Sequence, residues 1–268
     1  MSLLVKGVKV EVPGLLTRTW DEVGVPRLKL GEDARPRGDG AWVRQIILHT
    51  TKGIPGGKDK RPQLIKPGLA PPETDYAGRV ARFWSSDPTP SGAHLVLDHD
   101  GEVLCLADLV RDRANHAAPC NSGSVGIELY QGRDADLYAG QFDACVRLVD
   151  FLTRELGIQR QIPSLYRNRP IKRLAAGGED VTGVFGHRDV TANRGLGDPG
   201  EAVFSALAAA GYDRFDFDAG EDFEEWKKRQ RVLGFADRRL DGIAGSATTA
   251  ALARAGRSRG MWVARPGD

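Results

Sequence analysis

Val43-Arg44-Gln45-Ile46-Ile47-Leu48-His49 is the stretch that decides the fold class. Its β-branched, nearly unbroken apolar run is the pattern of an inner strand covered on both faces. The run ends on His49-Thr50-Thr51-Lys52-Gly53, which puts an imidazole at the strand's C-terminal end. In open α/β sheets that edge is where ligands gather. Val125-Gly126-Ile127-Glu128-Leu129-Tyr130 reads as another strand, with Val125, Ile127 and Leu129 on one face and Glu128 on the other. A carboxylate inside an apolar strand is costly to bury without a partner, so Glu128 asks for a chemical reason. Thr182 to Gly186 forms a third short strand that delivers His187.

Working outward, His94 to Asp98 and Glu102 to Leu106 flank Asp98-His99-Asp100-Gly101, and Asp-Gly between apolar runs predicts a hairpin. His99, in that turn, is expected to face solvent. Glu73 or Thr74 caps a helix running to Ser85, with Tyr76, Val80, Phe83 and Trp84 on its apolar face. Gln141 to Leu156 has helical spacing and Gly157 to end it, and Glu201 to Ala210 is a further helix. Strands alternating with helices around one hairpin give an α/β class: a mixed central β-sheet flanked by helices. Residues 1–40 read as an N-terminal extension, 41–215 as the main domain and 216–268 as a small C-terminal helical module. Tyr212 to Gly220 is the linker, and the module's first helix runs from Glu221 to Leu233. The Pro/Gly-rich segment 53–73 is a loop of the length that lines a site.

Composition excludes several classes. The chain has 268 residues, 41% hydrophobic and 28% charged, with a formal charge of +2, so nothing demands a nucleic-acid partner. Arg160, Arg167, Arg169, Lys172 and Arg173 form a local basic run, read either as a solvated loop or as a contact for an anionic polymer. Three cysteines without metal-type spacing imply no disulfide framework. No run approaches the roughly 18 apolar residues of a membrane span, and the N-terminus shows no secretory leader pattern. The expectation is a monomer made in the cytoplasm that acts after release, or by secretion if a leader precedes it.

His49 and His187 both end predicted strands, and Asp198 follows in a turn-rich loop. Two imidazoles and a carboxylate make the donor set of a catalytic Zn²⁺ site with a fourth position open to water. Glu128 would be the general base if its strand brings it within one water of the metal.

The ordered blocks Ile46-Ile47-Leu48-His49-Thr50, Ser91-Gly92-Ala93-His94-Leu95-Val96-Leu97, Asn115-His116-Ala117 and Ser124-Val125-Gly126-Ile127-Glu128-Leu129 resemble a known family, as do Gly186-His187-Arg188-Asp189-Val190 and Asp198-Pro199-Gly200. The chain is similar to type 2 N-acetylmuramoyl-L-alanine amidases, the superfamily that includes peptidoglycan-recognition proteins and phage amidases. The resemblance implies zinc on His49, His187 and Asp198, Glu128 as catalytic acid/base, and bacterial peptidoglycan or muropeptides as substrate. It places His94 and His116 along the cleft, each in substrate contact or in a core hydrogen-bonding role. Asp189 either orients a ligand or caps a local turn. The family's usual Lys two residues before the aspartate is Leu196 here, and Arg194 is the candidate to replace it. Trp226 to Thr248, with Leu240-Asp241-Gly242-Ile243-Ala244-Gly245, resembles a peptidoglycan-binding module, read either as a wall tether or as a helical cap. A non-catalytic wall sensor and a cytoplasmic muropeptide-recycling amidase are the alternatives to a bacteriolytic endolysin or autolysin.

Overall fold

The computed structural model describes residues 2–28, 42–51, 65–66, 75–87, 91–131, 137–164, 170–178, 181–192, 194, 198–217 and 221–222. In chain order the strands begin with β1 (Leu3–Val5), β2 (Val8–Val10), β3 (Thr17–Thr19), β4 (Gln45–Thr50) and β5 (Ile65–Lys66). There follow β6 (Leu95–Leu97), β7 (Val103–Cys105), β8 (Ser124–Leu129) and β9 (Leu137–Tyr138). The last are β10 (Gln161–Pro163), β11 (Gly183–Gly186), β12 (Asp213–Asp216) and β13 (Glu221–Asp222). The helices are α1 (Tyr76–Ser86), α2 (Ala139–Glu155), α3 (Lys172–Ala175), α4 (His187–Val190) and α5 (Glu201–Ala209).

Six strands form the central sheet in the order β11-β4-β8-β6-β7-β3. Pairing is parallel from β11 through β4 and β8 to β6, antiparallel across the β6–β7 hairpin, and parallel again to β3. The expected mixed sheet is therefore present. All six residues of β4 are buried, as its apolar run requires. Ile46, Leu48, Val125, Ile127 and Leu129 meet Leu148 and Leu152 of α2 and Phe204 and Leu207 of α5 on one face. On the other face, Val96 and Leu104 pack with Ala77 and Ala81 of α1, while Ile47 and Phe185 pack with Leu174 and Val190. Alternation along β4 thus sorts its apolar residues between two cores, while Val125, Ile127 and Leu129 of β8 all face one.

Several expectations change. The segment read as a linker is β12, parallel to β10, and Glu221–Asp222 pairs back on it as β13 where a helix was expected. The cause is aromatic: Phe217 packs edge-on against Phe185 and Phe215, a long-range partner that local composition does not reveal. Within the basic run, Gln161–Pro163 is a strand and Lys172–Ala175 a short helix; Arg167 and Arg169 lie outside the described residues. The N-terminal stretch supplies β3, the outermost strand of the central sheet. Residues 223–268, which hold most of the C-terminal module, lie outside the described residues, as does most of segment 53–73. Among the described residues no helix is long and apolar enough to cross a membrane.

The start of α1 corrects two further readings. Its cap is Asp75, whose Oδ1 accepts the Gly78 amide at 2.6 Å, and Phe83 stands 66% exposed while Ala77, Gly78 and Ala81 face inward. His99 is buried, edge-on to Tyr76 and to Tyr130. Asp98 binds both pieces: Oδ2 accepts the Ala77 amide at 2.8 Å, and Oδ1 takes the His99 amide at 2.7 Å and lies 2.6 Å from His99 Nδ1. Replacing Asp98 by Ala leaves those buried donors unmet, and hydrogen bonds to a charged group contribute about 1.5–3 kcal/mol each. Urea unfolding of Asp98→Ala should show a loss of about 3 kcal/mol or more; a change below about 0.5 kcal/mol would rule out this role.

Candidate active site

Strand register builds the site. Gly186 pairs with Leu48, so His187, the next residue, emerges beside His49, and His49 pairs with Glu128 on its other side. Three adjacent parallel strands thus present His187, His49 and Glu128 in a row at the sheet's C-terminal edge. Parallel partners project to the same face, so the three side chains rise together.

Asp198 comes from the loop after α4. The amide of Thr50, at the end of β4, donates to its Oδ1 at 2.9 Å, which leaves Oδ2 turned toward the histidines. His187 Nδ1 lies 3.5 Å from Oδ2 and 2.9 Å from His49 Nδ1. One donor atom from each of the three residues fits within 4.8 Å of the others. Ligands about 2.0–2.1 Å from a tetrahedral zinc ion lie about 3.3 Å from one another, so these separations suit such an ion.

The electrostatics point the same way. Burial, then the neighbouring His187, holds His49 well below the ordinary imidazole value. Burial lowers His187 to about 3, with Arg194 adding to it. Both rings are therefore neutral, the form that ligates metals. Burial raises Asp198 to about 6 against the opposing pull of the Thr50 amide, Arg194 and Arg188. Burial and then the Asp198 charge raise Glu128 to about 8, partly offset by Arg194. Two neutral imidazoles beside two carboxyls that resist ionisation describe a pocket short of positive charge. A divalent cation at this point would supply it.

The cleft, about 280 Å³, is also lined by Trp84, Asn115, His116 and Arg194. Arg194 Nε stands 3.9 Å from Asp198 Oδ2 with the side chain 46% exposed. Leu196 lies outside the described residues. His94 is fully buried beneath the site, its Nε2 3.2 Å from the Asp112 carbonyl and its Nδ1 accepting the Gly126 amide at 3.0 Å. Of the two roles open to it, the core one is observed, because both ring nitrogens are engaged by backbone below the cleft floor. Asp189 caps a turn: its Oδ2 accepts the Gly186 amide at 2.8 Å.

Arg188 is a functional position that sequence reading missed. Only 3% exposed, its amide donates to the Asp198 carbonyl, its Nη1 to the Pro199 carbonyl at 2.8 Å, and its Nη2 pairs with Glu201 at 3.3 Å. It clamps the loop that carries Asp198. Gly186 packs closely beneath: a Cβ there would stand 3.0 Å from the Asp198 carbonyl oxygen, so the loop would have to give by a few tenths of an ångström.

With this geometry in view, the family comparison is decisive: the profile described as N-acetylmuramoyl-L-alanine amidase matches residues 39–201. The chain belongs to that family. Three solved structures illustrate the likeness. Peptidoglycan recognition protein SD of Drosophila is 16% identical, with 74% of this chain and 96% of that one covered and a TM-score of 0.43. For the N-acetylmuramoyl-L-alanine amidase LysC of Clostridium intestinale the values are 14%, 73%, 98% and 0.39. For AmpD they are 18%, 76%, 98% and 0.41. The comparison with curated proteins finds no match. The amidase-family segment thus contains every residue of the site just described.

The raised Glu128 sets a pH dependence for the metal-free amidase fold. Between the ordinary value of 4.5 and the folded value of about 8, the folded state holds a proton that the unfolded chain releases. Stability from this group is present below pH 4.5 and is lost as pH rises through that window. In the presence of chelator, Glu128→Gln should melt above the parent protein at pH 8 and close to it at pH 4.5. An equal difference at both pH values would contradict the assigned environment.

Proposed function

We propose that the protein is a zinc-dependent hydrolase that cuts the amide between N-acetylmuramic acid and L-Ala of bacterial peptidoglycan. The observation that carries this reading is the convergence of His49, His187 and Asp198 beside the Glu128 carboxyl in one cleft. Bound by those three residues, zinc would supply Lewis-acid chemistry for a water and for the scissile carbonyl.

The chain's own residues do the rest. Glu128 takes the proton of the attacking water and returns it to the departing L-Ala amine, and a carboxyl poised near neutral pH suits both transfers. Arg194 moves onto the oxygen that gains charge as the carbonyl carbon becomes tetrahedral, taking the place of the family's usual lysine. Arg188 and the Thr50 amide keep Asp198 fixed while this happens. The peptidoglycan-binding-like sequence within 216–268 favours insoluble wall polymer over soluble fragments, because tethering raises substrate concentration at the cleft. In this reading the protein is a bacteriolytic endolysin or autolysin, made in the cytoplasm and reaching the wall after release or secretion.

Purified protein incubated with peptidoglycan and zinc should release new L-Ala amino termini, and chelator should stop it. Absence of such termini with zinc bound would reject the reaction. Glu128→Gln should lower kcat by about 10²–10⁴-fold with wall binding intact. Arg194→Ala should lower kcat by about 10²-fold with little change in KM, and Arg194→Lys should recover part of it.

A further inference from the structure

His116 lies in the cleft, yet its ring is engaged on both sides by the protein. Its Nδ1 is 2.9 Å from His49 Nε2, and its Nε2 is 3.1 Å from Ser124 Oγ. Ser124 Oγ in turn donates its proton to the Cys120 carbonyl at 2.7 Å. These contacts have one consistent direction. With its proton committed to Cys120, Ser124 Oγ accepts, so His116 Nε2 carries the hydrogen. A neutral His116 then has its lone pair on Nδ1 and accepts from His49 Nε2–H. A neutral His49 protonated on Nε2 has its own lone pair on Nδ1, the atom 2.9 Å from Nδ1 of His187, its fellow member of the three-residue cluster.

We propose that His116, anchored by Ser124, is a positioning residue that holds His49 in the Nε2–H tautomer with Nδ1 turned to His187 and Asp198. The relay rests on the zinc reading above and acts through His49 rather than on substrate. The fold is built around it. Asn121 Oδ1 accepts the amides of His116 and Ala117 at 3.0 and 2.7 Å, fixing the backbone from which the ring projects. Position 126 is glycine where the ring lies on β8: a Cβ there would sit 2.6 Å from the ring of His116. His94, edge-on to His116 at 5.6 Å, has both nitrogens turned to backbone and does not compete for the His49 hydrogen. A partner on the non-ligating nitrogen fixes tautomer and ring orientation, and losing it commonly weakens metal affinity about 10–100-fold.

The test uses the full-length chain stripped of metal. Imidazole ¹⁵N spectra should show His49 and His116 both protonated on Nε2; a predominant Nδ1–H form of His49 overturns the relay. Competition with a chromophoric chelator should then show His116→Leu binding Zn²⁺ about 10–100-fold more weakly than the parent. His116→Asn, whose side-chain oxygen can stand in for Nδ1 as acceptor, should recover much of the loss. Ser124→Ala should give a smaller, several-fold weakening, since it frees His116 to reverse its own tautomer. Zinc affinities of His116→Leu and Ser124→Ala equal to the parent, with melting curves in chelator unchanged, also overturn the proposal. If the parent itself fails to compete for zinc, the metal reading falls and takes the relay's purpose with it; the ¹⁵N spectra separate that result from a relay that is absent.

Discussion

The parallel registration of β11, β4 and β8 is the constraint on which the rest of the site depends. Because side chains alternate along a strand, a slip of one residue in either pairing would send His187 or Glu128 to the opposite face. The apolar residues prevent that slip. Ile46, Leu48, Val125 and Ile127 lie in the core under α2 and α5, and moving them to the other face would expose them or collide with a second core. The packing that makes the sheet stable is thus the same packing that holds the site's donors in line. Asp198, the ligand candidate that neither lies in a strand nor directly follows one, has to be held by separate means. The Thr50 amide and the Arg188 clamp serve that purpose.

A second theme is charge. The floor of the cleft gathers two carboxyls and two imidazoles where water is scarce, and each is pushed toward its neutral form. Such a collection is poor for stability, and sequence-level consistency is broken at this place while it holds along most of β4 and β8. A hydrophobic residue in place of Glu128 would suit its strand better. In the amidase reading proposed above, that departure from local rule marks where chemistry takes precedence over folding.

Much of this was legible in the sequence, and for physical reasons. His49, Glu128 and His187 sit in or directly after short apolar runs whose period identifies both strand and face. The β6–β7 hairpin was visible through Asp100-Gly101, because that turn demands a left-handed residue and Gly101 has φ +91°. What could not be read depends on distant partners. Phe215 and Phe217 looked like linker residues until Phe185 stood beside them. His99, a polar turn residue, gave no sign that Tyr76 and Tyr130 would cover it. Nothing in the sequence singled out Arg188, because two of its acceptors, the Asp198 and Pro199 carbonyls, are backbone atoms that leave no trace in residue type.

The pairing of β4 with β11 also has a consequence for assembly. His49 and His187 are 138 residues apart in the chain. Bringing them together closes a long loop, an entropic cost that nearby pairings such as the β6–β7 hairpin do not carry. The two nitrogens therefore cannot converge until the sheet's middle is in place. During synthesis the chain would expose scattered histidines with little joint affinity for any ion. Affinity would arise only with the finished sheet, so that the geometry of the fold, rather than the first metal encountered, governs what the site accepts.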